Sequence, residues 1–252
     1  MATIATLSDA LDTAAKFFRV MEKEGVERPH YQHPIDSKTA RRNLAEFLKE
    51  GCPDISREIP GQSTSVIPAL LTSQQLFYRQ FFGMELDFSG LRVPTHQTGF
   101  DRLIIVAQGL TLNRVYEAYE KNGIKCWRYT DDLDSVLDWD KEERNPKDAP
   151  YAIWVRDRQE ADEELKNLSA NQIKERGITT ETLTERELHG LMCWSETKRH
   201  LDTDNITRCS GSRIQDGGVP SVYWRRHSGE VHVSYYDSGY SSSHLRSRAV
   251  VS

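Results

Sequence analysis

The sequence predicts an α+β protein, in which an N-terminal helical region precedes a mixed α+β domain with a C-terminal antiparallel sheet. Over residues 1–90 apolar side chains recur at helical spacing. After about residue 200, short runs rich in Val and Tyr alternate with turn dipeptides, as in a sheet. We therefore divide the 252 residues into a helical region at 1–90 and an α+β domain at 91–252, with a β-rich display segment at 200–252.

Three helices are predicted in the first region, at about residues 7–21, 37–50 and 73–82. Helix packing is the main interpretation of this region. A small DNA-binding helical module is the alternative, and its only basic cluster is Arg41-Arg42.

A β-α-β unit is predicted where the second region begins. Leu103–Ala107 is a compact apolar run that indicates a buried strand, and Thr111 can cap a following helix that ends at Asn122-Gly123. Ile124–Tyr129 then indicates a second strand. The G-x-G-x-x-G spacing of a dinucleotide site is missing between them.

Further helices and strands are predicted along the rest of the chain. A surface loop is expected over 131–149, a strand over 151–156, and helices over 159–168, 170–176 and 182–198. The last helix begins with a candidate capping box, Thr182 with Glu185. Strands are expected over 205–209, 220–224, 230–236 and 245–251.

Composition restricts the class of protein. The chain is 37% hydrophobic and 28% charged, as is ordinary for a soluble globular protein, with a net charge of −5. That charge argues against nucleic-acid binding through bulk charge but leaves room for a local basic patch. We expect a cytoplasmic protein with no membrane partner, because neither a long apolar run nor a secretory signal is found. The scattered cysteines are expected to be reduced and mostly buried, namely Cys52, Cys126, Cys193 and Cys209.

Motifs that would carry chemistry are weak. Asp131, Asp132 and Asp134 form an acidic cluster that could bind Ca²⁺ or Mg²⁺, but the EF-hand spacing is absent and a solvated loop is the simpler interpretation. His30 and His33 are too few for a zinc site. We therefore expect no metal and no cofactor.

Two further groups of residues have both a structural and a ligand-binding interpretation. Arg156 and Arg158 could clamp an anion, although local ion pairs with Asp162, Glu163 or Asp101 are the favoured interpretation. Arg246 and Arg248 alternate with small or apolar residues, so they are expected to share a strand face and to pair with Asp216 or Asp237, or to flank a binding surface. The five tryptophans are expected in the core, namely Trp127, Trp139, Trp154, Trp194 and Trp224.

Residues 234–244 are the most suggestive segment, with the sequence Ser-Tyr-Tyr-Asp-Ser-Gly-Tyr-Ser-Ser-Ser-His. Tyr supplies rigid amphipathic contact area, and Ser and Gly supply adaptable hydrogen bonding, as in antibody binding loops. The predicted ligand-binding residues are Tyr223, Arg225, His227, Ser234, Tyr236, Asp237, Tyr240, Ser241, Ser242, Ser243 and His244.

Several blocks from about Leu91 onward resemble a family of uncharacterised proteins from environmental bacterial genomes. The blocks that carry this resemblance are Gly99–Val106, Cys126–Asp134, Tyr151–Arg158, Ala161–Ala170 and Leu245–Ser252. The family implies no assigned activity.

The layout of the C-terminal part is also similar to that of the target proteins of diversity-generating retroelements. A scaffold of helices and short strands is followed by a Tyr/Ser/Asp/His-rich segment and a closing strand at the C-terminus. This resemblance implies a C-type-lectin-like fold that displays diversified residues. A Gly-Gly-Ser-Trp-type core block, common in such folds, is absent from this sequence.

The sequence therefore favours a non-enzymatic binding protein whose C-terminal surface binds a protein or another macromolecule. Two alternatives remain open. One is a metal-assisted enzyme or nucleic-acid-processing factor that acts on a polyanion through Asp131, Asp132, Asp134, Arg156 and Arg158. The other is a structural or regulatory interaction protein whose C-terminal hairpin is merely solvated.

Overall fold

The computed structural model describes residues 66–252, which belong to one unit that spans Ser63–Ser252. Helix α1 (Val66–Phe82) is part of this unit, so the division of the chain lies before α1 rather than near residue 90. The predicted helices at 7–21 and 37–50, Arg41-Arg42, His30, His33 and Cys52 lie outside the described residues.

The described chain is α+β, as predicted. Its strands are β1 (Arg102–Val106), β2 (Lys125–Arg128), β3 (Tyr151–Val155), β4 (Ile206–Arg208), β5 (Val219–Arg225), β6 (Glu230–Tyr236), β7 (Leu245–Arg246) and β8 (Val250–Val251). Its other helices are α2 (Leu112–Lys121), α3 (Leu133–Val136), α4 (Ala170–Glu175) and α5 (Leu183–Thr197), with 3₁₀ turns at Trp139–Lys141 and Glu163–Leu165. None of the helices in this part of the chain is long and apolar enough to cross a membrane.

The strands form two sheets. The first has three antiparallel strands in the order β1-β3-β8, and the second has five in the order β2-β6-β5-β4-β7. In the second sheet the central strands β6, β5 and β4 are antiparallel, whereas β2 and β7 run parallel to their neighbours. The predicted antiparallel sheet is therefore mixed at both edges.

Two predicted elements have a different arrangement from the one expected. The β-α-β unit is wrong because β1 pairs with β3 in one sheet, while β2 pairs with β6 in the other. The predicted strand over 245–251 is interrupted at Ser247–Ala249, so β7 and β8 contribute to different sheets. Between them lies Arg248, whose side chain is buried.

Two other segments differ in their helical content. The helix predicted over 159–168 is only the 3₁₀ turn Glu163–Leu165, because the backbone N–H of Asp162 and of Asn167 donates to residues of the C-terminal segment. The predicted loop over 131–149 contains α3 and a 3₁₀ turn.

Helix α5 joins the two sheets. Thr182 accepts from the Glu185 N–H and Glu185 accepts from the Thr182 N–H, which completes the predicted capping box. All residues from Leu183 to Met192 are buried, because the helix packs against β1, β5 and α2. A Cβ at Gly190 would lie 2.6 Å from the Tyr119 hydroxyl, so only glycine permits this approach of α2 to α5.

The core is one hydrophobic cluster between the helices and the inner faces of the sheets. Val222, Val231 and Val233 contribute from the five-stranded sheet, and Ile104 and Ile153 contribute from the three-stranded sheet. Because side chains alternate along a strand, the opposite face of the five-stranded sheet carries a different set of residues.

Candidate functional site

The pairing of β5 with β6 places the predicted binding residues of both strands on one face. Tyr223 stands opposite His232, and the β5 residue Arg225 stands opposite Glu230. Since directly paired residues point to the same side, the odd-numbered residues of β5 and the even-numbered residues of β6 share the outer face. Tyr223, Arg225, Ser234 and Tyr236 are thus brought together, as predicted, on the side opposite Val222 and Val233.

Neighbouring strands extend this surface. Trp127 of β2 stands beside His232, and Arg208 of β4 stands opposite Ser221. We call this surface the display face, and it consists of Lys125, Trp127, Arg208, Ser221, Tyr223, Arg225, Glu230, His232, Ser234 and Tyr236.

An aromatic row crosses one part of the display face. The Trp127 and His232 rings are stacked with centroids 4.1 Å apart, and the Tyr223 ring lies 4.9 Å from the His232 ring. Trp127 is 43% exposed, so its prediction as a core residue is wrong. It lies on edge strand β2, whose outward side chains face solvent.

His232 is nearly buried within this row. Burial lowers its pKa, because a charged imidazole loses hydration there, and the nearby Arg225 acts in the same direction. The neutral ring is therefore the favoured form between its aromatic neighbours.

A second aromatic pair lies where β6 ends. The Tyr236 and Tyr240 rings are stacked with centroids 5.3 Å apart, and Tyr240 is 48% exposed. Burial raises the pKa of the Tyr236 hydroxyl, so that group stays protonated at neutral pH. Tyr236 is four positions after His232 along β6, which corresponds to about 13 Å between the two aromatic groups.

A polar strip separates the two aromatic groups. Ser234, Ser221 and Arg208 succeed one another across β6, β5 and β4. Ser221 and Arg208 are buried. Burial lowers the pKa of the Arg208 guanidinium, the effect expected of a cation removed from water.

The remaining predicted residues lie at opposite ends of the β5–β6 hairpin. His227 is in the exposed turn after β5, beside Arg225 and Glu230. Asp237–His244 follows β6 at the other end and is mostly exposed. The segment contains a turn, in which the Tyr240 N–H donates to the Asp237 carbonyl. It also contacts α4, because the Asn171 N–H donates to the Ser238 carbonyl.

Sequence reasoning missed six members of this surface, namely Lys125, Trp127, Arg208, Ser221, Glu230 and His232. His232 has the same two-residue phase as Ser234 and Tyr236, so strand alternation alone could have included it. Glu230 shares that phase on β6, and Ser221 shares the phase of Tyr223 on β5, so alternation could have included them as well. Lys125, Trp127 and Arg208 join the surface only through strand pairing, for which no local sequence signal exists.

Tyr235 belongs to the other side of the sheet. It is 44% exposed, and its ring lies 4.8 Å from that of Tyr129. With Val136 and Ile214 these rings line a shallow groove away from the display face.

Two residues of the acidic cluster that the enzyme alternative invoked, Asp132 and Asp134, stabilise the ends of helices. The Asp134 carboxylate accepts from the Leu112 and Asn113 N–H groups at 2.9 and 3.0 Å, at the start of α2. Asp132 caps α3 and accepts from the Asn113 side chain. Within residues 66–252 no group of three or more His, Cys, Asp or Glu side chains is arranged to bind a metal.

The arginines considered as anion clamps or surface charges form ion pairs. Arg156 pairs with Asp162 at 2.6 Å, as the ion-pair interpretation predicted, and Arg158 pairs with Glu164 at 2.9 Å. Arg246 pairs with Glu163 rather than with Asp216 or Asp237.

Arg248 lies in the interior and pairs with Asp202. The expected place of Arg246 and Arg248 beside the binding surface is therefore wrong. The interrupted strand directs the two side chains to different partners.

Comparison with known proteins adds no relative, since no protein family, no curated protein and no solved structure matches this chain.

Proposed function

We propose that this protein is a non-enzymatic binding protein that presents the display face and the adjoining Asp237–His244 segment to a protein ligand. The observation that carries the proposal is the juxtaposition, by strand register, of Trp127, Tyr223, Tyr236 and Tyr240 around a polar strip. Exposed rigid aromatics with interspersed Ser and charged groups are the chemistry of protein-binding surfaces.

The proposal includes an origin for this surface, namely diversification by a retroelement on a C-type-lectin-like scaffold. It is supported by the position of the Tyr/Ser-rich segment between two strands and by the buried C-terminal residues that close the fold. Diversified positions must be exposed while their flanks stay buried, because substitutions at exposed sites seldom change stability by more than about 0.5 kcal/mol.

The genetic test is to read the DNA around codons 219–252. A near-copy of that stretch that differs mainly at adenines, beside a reverse-transcriptase gene, is the expected result. If neither is present, the retroelement origin is abandoned, and the display face remains as a fixed binding surface.

The binding test compares the wild-type chain with a variant that carries Tyr223→Ala, Tyr236→Ala and Tyr240→Ala. The full-length proteins are used for quantitative capture from lysate of the source cells. We expect the triple variant to capture at least tenfold less partner than the wild type does. Its Tm should stay within a few degrees of the wild-type value.

Tyr235→Ala is the matched control, because Tyr235 is an exposed tyrosine of β6 that faces the other side of the sheet. It should retain the partner. Equal loss in both variants, or a collapse of Tm in the triple variant, would contradict a binding role for the display face.

A further inference from the structure

The polar strip of the display face contains an arginine whose guanidinium is only partly bonded. Arg208 is 1% exposed, and its Nη1 donates to the carbonyl of Tyr240. Its Nε and Nη2 are buried and have no hydrogen-bond partner among the described residues. A buried cation in this state is costly, so a native protein that keeps it requires an explanation.

The two free nitrogens are the pair that forms the side-on fork of a guanidinium. Nε–H and Nη2–H point in parallel, which matches the two oxygens of a carboxylate. In two other arginines of the described chain, Arg144 and Arg79, both nitrogens of this fork bond one acidic side chain. Arg144 bonds Glu185 in this way at 2.6 and 2.9 Å, and Arg79 bonds Glu85 at 2.6 Å through both nitrogens.

The residue paired with Arg208 on the neighbouring strand also has an unpartnered group. Ser221 stands opposite Arg208 across the β4–β5 pair, and its Oγ is buried without a partner in the described residues. A hydroxyl can donate a further hydrogen bond to an anion held by the guanidinium. Two directly paired residues of adjacent strands therefore each have a buried donor without a partner in the described residues.

The surroundings favour an anion from outside the protein's own side chains. Arg213 adds positive potential near Arg208, whereas Asp237 is the acidic group whose field acts on it. The Asp237 side chain does not fill this role, since the free nitrogens of Arg208 have no partner in the described residues and the Asp237 Oδ1 accepts from the Gly239 N–H at 2.7 Å.

We propose that Arg208 and Ser221 form the floor of a carboxylate-binding subsite, which takes an Asp or Glu side chain of the protein ligand between the two aromatic groups. This inference rests on the proposed function for the source of the carboxylate. Because Nε and Nη2 are buried, the carboxylate must displace part of their cover. Tyr240 contacts the guanidinium and lies on the exposed segment after β6, so it is the group that we expect to move.

The test uses sodium acetate as a probe and needs no macromolecular ligand. Tm of the full-length protein is measured in acetate and in chloride at equal ionic strength and pH. We expect acetate to raise Tm by about 3 °C at tenfold its Kd, relative to chloride, and to raise it further with the logarithm of its concentration. Arg208→Met should lose this difference, and it should not lower Tm in chloride because it removes an unpaired buried cation.

Arg79→Met is the matched control, because Arg79 lies on α1 outside the display face and its side chain is 62% exposed. It should respond to acetate as the wild type does. If Arg208→Met fails to fold, the Nε–H signal of Arg208 in the wild-type protein is followed by NMR during the acetate titration, with Arg208→Lys to assign it. A saturable shift supports the subsite, and an unchanged signal overturns it.

The outcomes separate this inference from the proposed function. Equal acetate responses of wild type and Arg208→Met, or no response at all, overturn the subsite even if the tyrosine variants lose their partner. A larger response to phosphate than to acetate at equal ionic strength overturns the assignment to carboxylates. An Arg208-dependent acetate response establishes the subsite even if partner capture does not depend on the tyrosines.

Discussion

Arg248 donates from Nη2 to Oδ1 of Asp202 at 2.6 Å, and both side chains are buried. The Asp202 carboxylate also accepts from Arg186 at 2.7 Å through its other oxygen. The positive charges of Arg248 and Arg186 hold the pKa of Asp202 below its usual value, although burial opposes them. The C-terminal segment, helix α5 and the chain before β4 are thus joined at one buried carboxylate.

Replacement of Arg248 by Met should destabilise the protein strongly, because it leaves part of the Asp202 charge uncompensated. We expect a loss of about 3 kcal/mol or more in the free energy of unfolding, measured by urea denaturation. Arg246→Met is the control, since its partner Glu163 is 60% exposed, and it should cost about 1 kcal/mol or less. Equal losses of stability in the two variants would contradict a larger contribution from the buried ion pairs than from the exposed one.

Tyr78→Phe should weaken the packing of α1 against β1 by removing two hydrogen bonds between them. The Tyr78 hydroxyl donates to the Ile105 carbonyl at 2.8 Å and accepts from the Ala107 N–H at 3.0 Å. Its removal leaves two buried backbone groups unpaired, so we expect a loss of about 1–3 kcal/mol in urea denaturation. Tyr235→Phe, at an exposed position, should change stability by less than about 0.5 kcal/mol.

The stability of the protein should fall between about pH 5 and pH 8 through Glu181. This fully buried carboxyl faces His189, and desolvation raises its pKa to about 8, while Arg248 and Arg186 act in the opposite direction. A raised carboxyl pKa means that the folded state binds more protons than the unfolded one, so its contribution is complete at acid pH and is lost as pH rises.

Glu181→Gln has no carboxyl to titrate at this position. The pH dependence of the difference in unfolding free energy between wild type and variant therefore reports the titration of Glu181. We expect the wild type to lose stability relative to Glu181→Gln as pH rises from 5 to 8, measured by urea denaturation at each pH. Burial lowers the pKa of His189, which acts in the reverse sense below pH 6.5 and is shared by both proteins. A difference that is flat or rises with pH contradicts the assignment.

Trp127→Ala should affect binding more than stability. Its ring is 43% exposed and stacks on His232 at the sheet edge, so we expect a stability loss of about 1 kcal/mol or less. Partner capture should fall at least tenfold if the aromatic row is part of the binding surface. Trp154→Ala is the comparison for a buried tryptophan, and it should cost about 3–5 kcal/mol. A similar cost at Trp127 would make it a core residue.

Local sequence patterns determined most of the described elements of this protein. The Thr111 and Thr182 caps start their helices as predicted, and Gly123 adopts φ +76°, which closes the end of α2. The alternation along β6 separates His232, Ser234 and Tyr236 from the core-facing valines. These features depend on the backbone and side chains of a few consecutive residues, which a sequence displays directly.

Only the tertiary structure decided which strands are neighbours, and with them the composition of the display face. Trp127, Arg208 and Ser221 are far apart from Tyr236 along the chain and come together through the register of β2, β4 and β5 with β6. The division of the C-terminal segment between two sheets likewise depends on the partners of Arg248. Such pairings are selected by the free energy of the whole packed core and its buried charges, and no short stretch of sequence contains that information.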